Sequence, residues 1–320
     1  LNPLLVILGP TASGKTHLAT RVAAEVNGSI LSVDSRQIYR GMDIGTGKDL
    51  EEYTVEGKSI PYHLINIRNA GEKYNISLFK DDFQQAYQEI VRENSVPIAC
   101  GGTGFYLYAL LKSQAYTEIP VNEELRESLE DQSNDWLRTA FTQLKTSYLN
   151  RADISTRKRL IRAIEISTYL ADHPEIEKNI SEEPSFVYNP IIFGLNPPPE
   201  IRRDRISTRL VYRVKNGLVE EVQSLLDSGL HPEQLIYYGL EYKYITEYVT
   251  GKLAYDEMTK KLETEIHRFA KRQMTFFRKM EKDGIHIHWL NAEHSEQENV
   301  REIIQAYNLF TTPNPNHLIN

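Results

Sequence analysis

Eight residues near the start of the chain, Gly9-Pro10-Thr11-Ala12-Ser13-Gly14-Lys15-Thr16, follow the spacing glycine, four residues, glycine, lysine, serine or threonine. A loop with that spacing turns its own N–H groups, and those of the helix it opens, toward phosphate oxygens. Lys15 adds a positive charge for a diphosphate or triphosphate, and the Thr16 hydroxyl can complete a magnesium shell. The pattern names a phosphate and leaves its bearer open. A second polar run, Asp34-Ser35-Arg36-Gln37-Ile38-Tyr39-Arg40, supplies a carboxylate that can take a proton. Standing alone, Asp34 reads equally as a turn or helix-cap aspartate. Thr103 lies in a third group, Gly101-Gly102-Thr103-Gly104, where close backbone approach is easy. Its hydroxyl either meets a ligand or tightens the turn. A nucleotide-hydrolysing switch needs a strand ending in a magnesium-holding aspartate and, for guanine, Asn-Lys-x-Asp. Val96–Cys100 ends in Gly101 and that second element is absent, which weakens the switch class.

These groups need a scaffold, and the apolar pattern supplies one. Leu4–Leu8, Ser29–Val33 and Val96–Cys100 are short apolar runs of strand length, each ending at one of the three groups. An amphipathic helix is expected from Lys15 to Val26. Another is expected over Ile76–Glu93, where Leu78, Phe79, Phe83, Ala86 and Ile90 recur at helical spacing. Apolar strands alternating with helices predict a parallel sheet covered on both faces, with ligands at the carboxyl ends of the strands. After Leu111 the chain becomes charged and helix-rich, closing with the extended, proline-bearing stretch Glu183–Pro199. From Pro197–Pro199 a new helical series runs through Leu210, Val214, Leu218, Val222 and Leu226 to a stop at Gly229. A long helix is expected over Asp256–Glu281, then a late strand at Ile285–Leu290 and a frayed tail from Thr311 to Asn320.

The composition is that of a soluble globular chain: 320 residues, 40% hydrophobic and 25% charged. A net charge of -7 has the wrong sign for indiscriminate nucleic-acid binding, so such a partner would need locally concentrated positive charge. Arg157, Lys158, Arg159 and Arg162 form such a cluster. One cysteine, Cys100, permits no intrachain disulfide and suits a reducing compartment as a buried small hydrophobe. No apolar run approaches the ~18–20 residues that cross a bilayer, and Leu1–Leu8 lacks the charged leader of an export signal. A cytoplasmic location is therefore expected. His286 and His288 alternate as metal ligands can, but no third ligand stands near them in sequence. Phe276 and Phe277, at helical spacing, read as core more readily than as stacking platforms.

Eight segments in order resemble the bacterial tRNA dimethylallyltransferases, also called tRNA isopentenyltransferases. They are the phosphate loop at 9–16, Asp-Ser-Arg-Gln-Ile-Tyr-Arg at 34–40, Met-Asp-Ile-Gly-Thr at 42–46 and Pro-Tyr-His-Leu at 61–64. Next come Gly-Gly-Thr-Gly-Phe-Tyr at 101–106 and Arg-Leu-Ile-Arg-Ala-Ile-Glu at 159–165. Gly-Leu-Val-Glu-Glu-Val at 217–222 and Ala-Lys-Arg-Gln-Met-Thr-Phe-Phe-Arg at 270–278 complete the set. This chain departs from the family's usual residues at Arg202-Arg203, Val211, Lys158, Phe276 and the turn Gly239-Leu240-Glu241-Tyr242.

The resemblance implies transfer of a dimethylallyl group from dimethylallyl diphosphate to N6 of the adenine beside the anticodon of tRNA. It implies an α/β fold: a P-loop NTPase-like parallel sheet core, residues 1–112 and 197–320, with an inserted helical tRNA-binding domain at 113–196. Asp34 is then the general base, with Lys15, Thr103 and Arg205 completing the catalytic group. Gly9, Pro10, Thr11, Ala12, Ser13, Gly14, Lys15 and Thr16 hold the diphosphate, Thr16 holds Mg2+, and either Arg205 or Arg209 reaches the diphosphate. Asp34, Ser35, Arg36, Gln37 and Thr103 meet the target nucleotide, which must leave its stack and enter a channel open at both ends. Arg126, Lys158, Arg159, Leu160, Ile161 and Arg162 meet the rest of the anticodon stem-loop. A monomer acting without a membrane is expected. The rival readings are a prenyltransferase for free adenine nucleotides, and a P-loop nucleotide kinase or NTP switch.

Overall fold

The structure, a computed structural model, describes residues 3–112, 116, 119–179 and 188–311. The expected boundary at 113, the stretch 183–187 and the tail beyond Thr311 lie outside those residues. Two compact units divide the chain, Leu1–Leu111 with Val187–Asn320, and Lys112–Phe186.

In the larger unit a six-stranded parallel sheet has the order β5-β2-β6-β1-β7-β8. Its strands are β1 (Pro3–Leu8), β2 (Gly28–Val33), β5 (Tyr62–His63), β6 (Val96–Gly101), β7 (Asn189–Gly194) and β8 (His288–Trp289). A separate hairpin joins β3 (Thr54–Val55) to β4 (Lys58–Ser59). Strand β1 shows why its run is continuously apolar: Leu4 through Leu8 are all fully buried. Leu5 and Ile7 pack with Leu18, Ala19 and Val22 of α1 (Lys15–Val26). Leu4, Val6 and Leu8 pack on the other face with Phe79 and Phe83 of α2 (Ile76–Arg92) and Leu107 of α3 (Gly104–Leu111). Alternate side chains thus serve two layers, as the two-residue period of a strand requires. Asn75 starts α2 by accepting from the N–H groups of Ser77 and Leu78 at 3.0 and 3.1 Å.

The chain rejoins this sheet earlier than 197. Strand β7 pairs with β1 from Pro3↔Asn189 to Leu8↔Gly194, so the proline-bearing stretch includes a central strand. Pro190 hid it, because proline argues against a central strand. The late strand is shorter than expected, two residues paired with Phe193 and Gly194.

The series from Pro199 is two helices, α8 (Pro199–Arg213) and α9 (Val219–Asp227), separated by a wide turn at Val214–Leu218. Within that turn Asn216 and Gly217 leave helical geometry, Gly217 at φ 103°. After α10 (Pro232–Ile236) and α11 (Leu240–Val249), the 28-residue α12 (Tyr255–Lys282) runs along the unit. Its Met258, Leu262 and Ile266 join α8, α9 and α11 in one core, while Phe277 and Met280 join the sheet's core. Helix α13 (Glu296–Thr311) adds Ile303 to the α1 side.

The smaller unit is helical: α4 (Glu123–Glu130), α5 (Asn134–Gln143), α6 (Arg157–Asp172) and α7 (Pro174–Asn179). Leu129, Leu137, Phe141, Leu160, Ala163 and Ile164 form its core. Among the described residues no helix is long and apolar enough to cross a membrane.

Candidate active site

Loops after β1, β2 and β6 leave the same edge of the sheet, as parallel strands require, and meet around a cavity of about 660 Å3. Thr11, Ala12, Gly14, Lys15 and Thr16 line it, with Asp34, Ser35, Arg36 and Gln37 after β2 and Thr103 after β6. Gly9, Pro10 and Ser13 do not. Ser13 faces a second cavity of about 480 Å3 behind the loop, and its hydroxyl is buried with no partner among the described residues.

Burial lowers the pKa of Lys15, Asp34 and Cys100 oppose that shift, and Arg209 adds to it. Cys100 lies 5% exposed under this lysine, its thiol pushed up to about 12 by burial, so it is no nucleophile at neutral pH. Asp34 accepts the N–H of Arg36 at 2.8 Å through Oδ1, and Thr103 Oγ1 accepts the N–H of Ser35 at 3.4 Å. These bonds turn the start of the β2 loop toward the β6 turn. Gln37 is committed inward: its Oε1 accepts from Ser32 Oγ at 2.8 Å and its Nε2 donates to Gly47 O at 2.9 Å. Its second N–H and second lone pair remain for a ligand, since a primary amide carries two of each and Gln37 also lines the cavity.

The loop owes its shape to one buried charge, Lys48, and one half-buried charge, Glu221. Lys48, 1% exposed, donates to Tyr39 O at 2.6 Å and to Asp43 Oδ1 and Asn66 Oδ1 at 2.5 Å each. Glu221, presented by α9 after the break at Gly217, accepts the N–H groups of Asp43, Ile44 and Gly45 at 2.8, 2.7 and 3.0 Å. Tyr242 donates to the same carboxylate at 2.7 Å. Gly47, at φ 63°, leaves room for Arg213, whose Nη2 would stand 2.5 Å from any Cβ there.

The two arginines of α8 divide their work. Arg209 donates to Thr11 Oγ1 and lines both cavities. Arg205 lines only the rear cavity and reaches Ser13 O at 3.4 Å. Burial beside Arg213 brings the pKa of Arg209 down to about 10. Arg213, which the sequence reading did not single out, is 7% exposed and donates to both oxygens of Asp49 at 2.7 and 2.8 Å. The signal was available: 205, 209 and 213 recur every four residues, on one helix face. Glu52, Phe269 and Tyr237, to which the sequence gave no site role, also line the front cavity, as do Glu241 of the departing turn and Arg272 of the 270–278 segment. Glu241 has its pKa raised by burial, and so has Glu52, with Asp49 adding to the shift. Phe277 is core as expected, but Phe276 is only partly buried and lines the cavity.

Among the described residues no group of three His, Cys, Asp or Glu side chains could hold a metal. The oxygen donors here still fit magnesium, which binds through one or two protein oxygens and completes its shell with phosphate oxygens and water. Thr16 lines the front cavity, as do the carboxylates of Asp34 and Glu52. His288 and His294 pair with Glu302 at 2.5 and 3.5 Å.

In the smaller unit the basic run is largely spent internally. Glu165, 2% exposed, accepts from Asn122 N at 2.6 Å, from Arg126 Nη2 at 3.0 Å and from Arg162 Nη1. Arg162 also donates to the carbonyls of Tyr116, Ile119 and Pro120. Arg157 caps α4 through Leu129 O and Glu130 O. Leu160, expected with its neighbours to meet the stem-loop, is 1% exposed in the core, and the partly buried Ile161 packs against it, so their side chains serve the packing of this unit. Lys158 and Arg159 remain on the surface, Arg159 tied to Asp153 at 2.7 Å.

Comparison with known proteins accords with this geometry. The family model described as IPP transferase matches residues 37–280, and that described as isopentenyl transferase matches residues 3–62. A Bacteroides fragilis relative named tRNA dimethylallyltransferase 2 is 49% identical over 307 residues, 96% of this chain and 98% of its own length. The crystal structure of a tRNA isopentenylpyrophosphate transferase from Staphylococcus epidermidis, 29% identical, matches 97% of this chain and 100% of that one with a TM-score of 0.67. A eukaryotic dimethylallyltransferase solved acting on tRNA shares the fold, with a TM-score of 0.81 at 22% identity, over 97% of this chain and 80% of that one. With the phosphate loop and the start of the β2 loop inside the 3–62 match and nearly all of the long helix inside the 37–280 match, the chain belongs to the IPP transferase family, together with the tRNA dimethylallyltransferases.

Proposed function

We propose that this chain transfers the dimethylallyl group of dimethylallyl diphosphate to N6 of the adenine beside the anticodon of tRNA. The observation that carries the reading is the meeting of Lys15, Asp34 and Thr103, from three strand ends, around one cavity. The phosphate loop then serves the prenyl donor's diphosphate. The N6 lone pair attacks the donor's first carbon while the carbon–oxygen bond breaks and its electron pair leaves with the diphosphate. The N6 proton passes to the Asp34 carboxylate. Lys15, the first-turn amides of α1 and Arg209 hold the negative charge that builds on the leaving group. Thr16 would hold a magnesium ion, which would supply further positive charge to the leaving group. Thr103 fixes the β2 loop through the Ser35 N–H and borders the same space. Ser35 and Arg36 face the target base, and Lys158 supplies exposed positive charge on the helical insertion, beside the Arg159–Asp153 ion pair. Since tRNA is the acceptor, the reaction belongs to the cytoplasm.

Incubating the protein with unmodified tRNA, magnesium and dimethylallyl diphosphate, then digesting the tRNA for mass spectrometry, tests the proposal. An N6-prenylated adenosine that vanishes when ATP replaces the donor is the expected result. Absence of product with folded protein and intact tRNA, followed by prenylation of free adenine nucleotides, would move the assignment to that acceptor.

A further inference from the structure

The apolar stripe of α12 is interrupted by Gln273, a polar side chain only 8% exposed. Its amide is used at both ends. Oε1 accepts the N–H of Thr11 at 2.8 Å, and Nε2 donates to Gly102 O at 2.8 Å. One side chain from the long helix therefore ties the phosphate loop after β1 to the turn after β6. The joint is closely packed: a Cβ on Gly102 would lie 2.6 Å from Gln273 Nε2, 2.9 Å from Gly9 O and 3.6 Å from Lys15 Cε. Thr103 is the next residue along that turn.

We propose that Gln273 is a positioning residue for the transfer reaction. It sets the separation between the loop that holds the diphosphate and the turn that carries Thr103. It also withdraws the Thr11 amide from the ligand. The Ser13 amide is already committed to Pro10 O at 3.3 Å. The donor's diphosphate is then left chiefly to the first-turn amides of α1, which have no helical acceptor of their own. The chemistry of the joint demands an amide, since one arm must accept and the other donate without charge. Methionine has similar reach but would leave the Thr11 N–H and the Gly102 carbonyl unpaired. An ionised glutamate would accept from Thr11 yet set a second acceptor against Gly102 O, whereas a protonated one would restore both bonds.

This inference rests on the function proposed above, and the full-length chain carrying Gln273→Met or Gln273→Glu tests it. Kinetics across a pH series, melting temperature, and calorimetry with magnesium and inorganic pyrophosphate are measured together. At neutral pH both variants are expected to lose about 10–100-fold in kcat, with KM for tRNA within about twofold of the unmodified protein. For Gln273→Glu, kcat relative to the unmodified protein should recover about tenfold as acid protonates the new carboxyl. A role confined to stability would lower the melting temperature and leave kcat of the folded variants unmoved. Folded variants with kcat within about twofold of the unmodified protein at neutral pH overturn the proposal. If the unmodified protein transfers no prenyl group, the functional reading falls and pyrophosphate affinity decides the clamp. A loss of about tenfold in Gln273→Glu at neutral pH then supports it, and unchanged affinity overturns it.

Discussion

Two buried charges, Lys48 in the sheet unit and Glu165 in the helical insertion, organise their surroundings in opposite ways. Lys48 is satisfied by Tyr39 O, Asp43 and Asn66 around the β2 loop, and that arrangement leaves Asp34, Ser35 and Arg36 bordering a cavity. Glu165 gathers Arg126 and Arg162, two of the cations that the sequence offered as contacts to nucleic acid. In the first case a buried charge frees chemistry for a ligand. In the second it consumes it. Positive charge in a sequence is therefore no measure of the positive charge a partner meets.

The largest expected effect falls on the first of these regions. Asp34→Asn keeps an oxygen for the Arg36 N–H but is a poor proton acceptor, so transfer should fall by about 10²–10⁴-fold while tRNA affinity changes little. Near-normal turnover, measured by incorporation of labelled donor, would remove Asp34 from the chemistry. In the second region, Glu165→Ala leaves two arginines without their shared carboxylate and should cost about 3–5 kcal/mol. Hydrogen exchange at the amides of α4 and α6 would register it, and unchanged protection would mean that the network is ornamental.

A pH series sharpens the contrast. Burial lowers the pKa of Lys15, so its charge is lost at a lower pH than that of a free lysine. Donor KM should therefore rise on the alkaline side, earlier than an ordinary lysine would allow. Lys15→Arg, which keeps its charge, should flatten that limb even if its KM is higher throughout. The smallest effect separates exposed from consumed cations. Lys158→Ala should weaken tRNA binding a few-fold and reduce the salt slope by about 1. Arg162→Ala should instead act first on stability. Equal salt slopes for Lys158→Ala and the unmodified protein would place the phosphate contacts elsewhere.

Much of the sheet unit was legible because burial leaves a local trace. A run such as Leu4–Leu8 is apolar at every position because both faces are covered, and α2 repeats its apolar residues at helical spacing. Strand β7 escaped because Pro190 masks it, and β5 because two residues carry no period. Legibility of the candidate site followed the same rule. Lys15, Thr16, Asp34 and Thr103 stand at strand ends within recognisable strings, whereas Glu241 and Tyr237 reach the cavity only because distant helices fold over it.

The order of amino acids by itself determined the phosphate loop, the strands that end at the three polar groups and the helices that cover the sheet, since each depends on residues a few positions apart. Tertiary structure alone decided which polar groups remain for a ligand. Arg162 is taken by Glu165 and the Thr11 amide by Gln273, 262 residues away, while Gln37 gives one of its N–H groups to Gly47. The physical reason is that a hydrogen-bonding group is satisfied by whatever partner the fold brings within about 3 Å, and no local pattern records that choice.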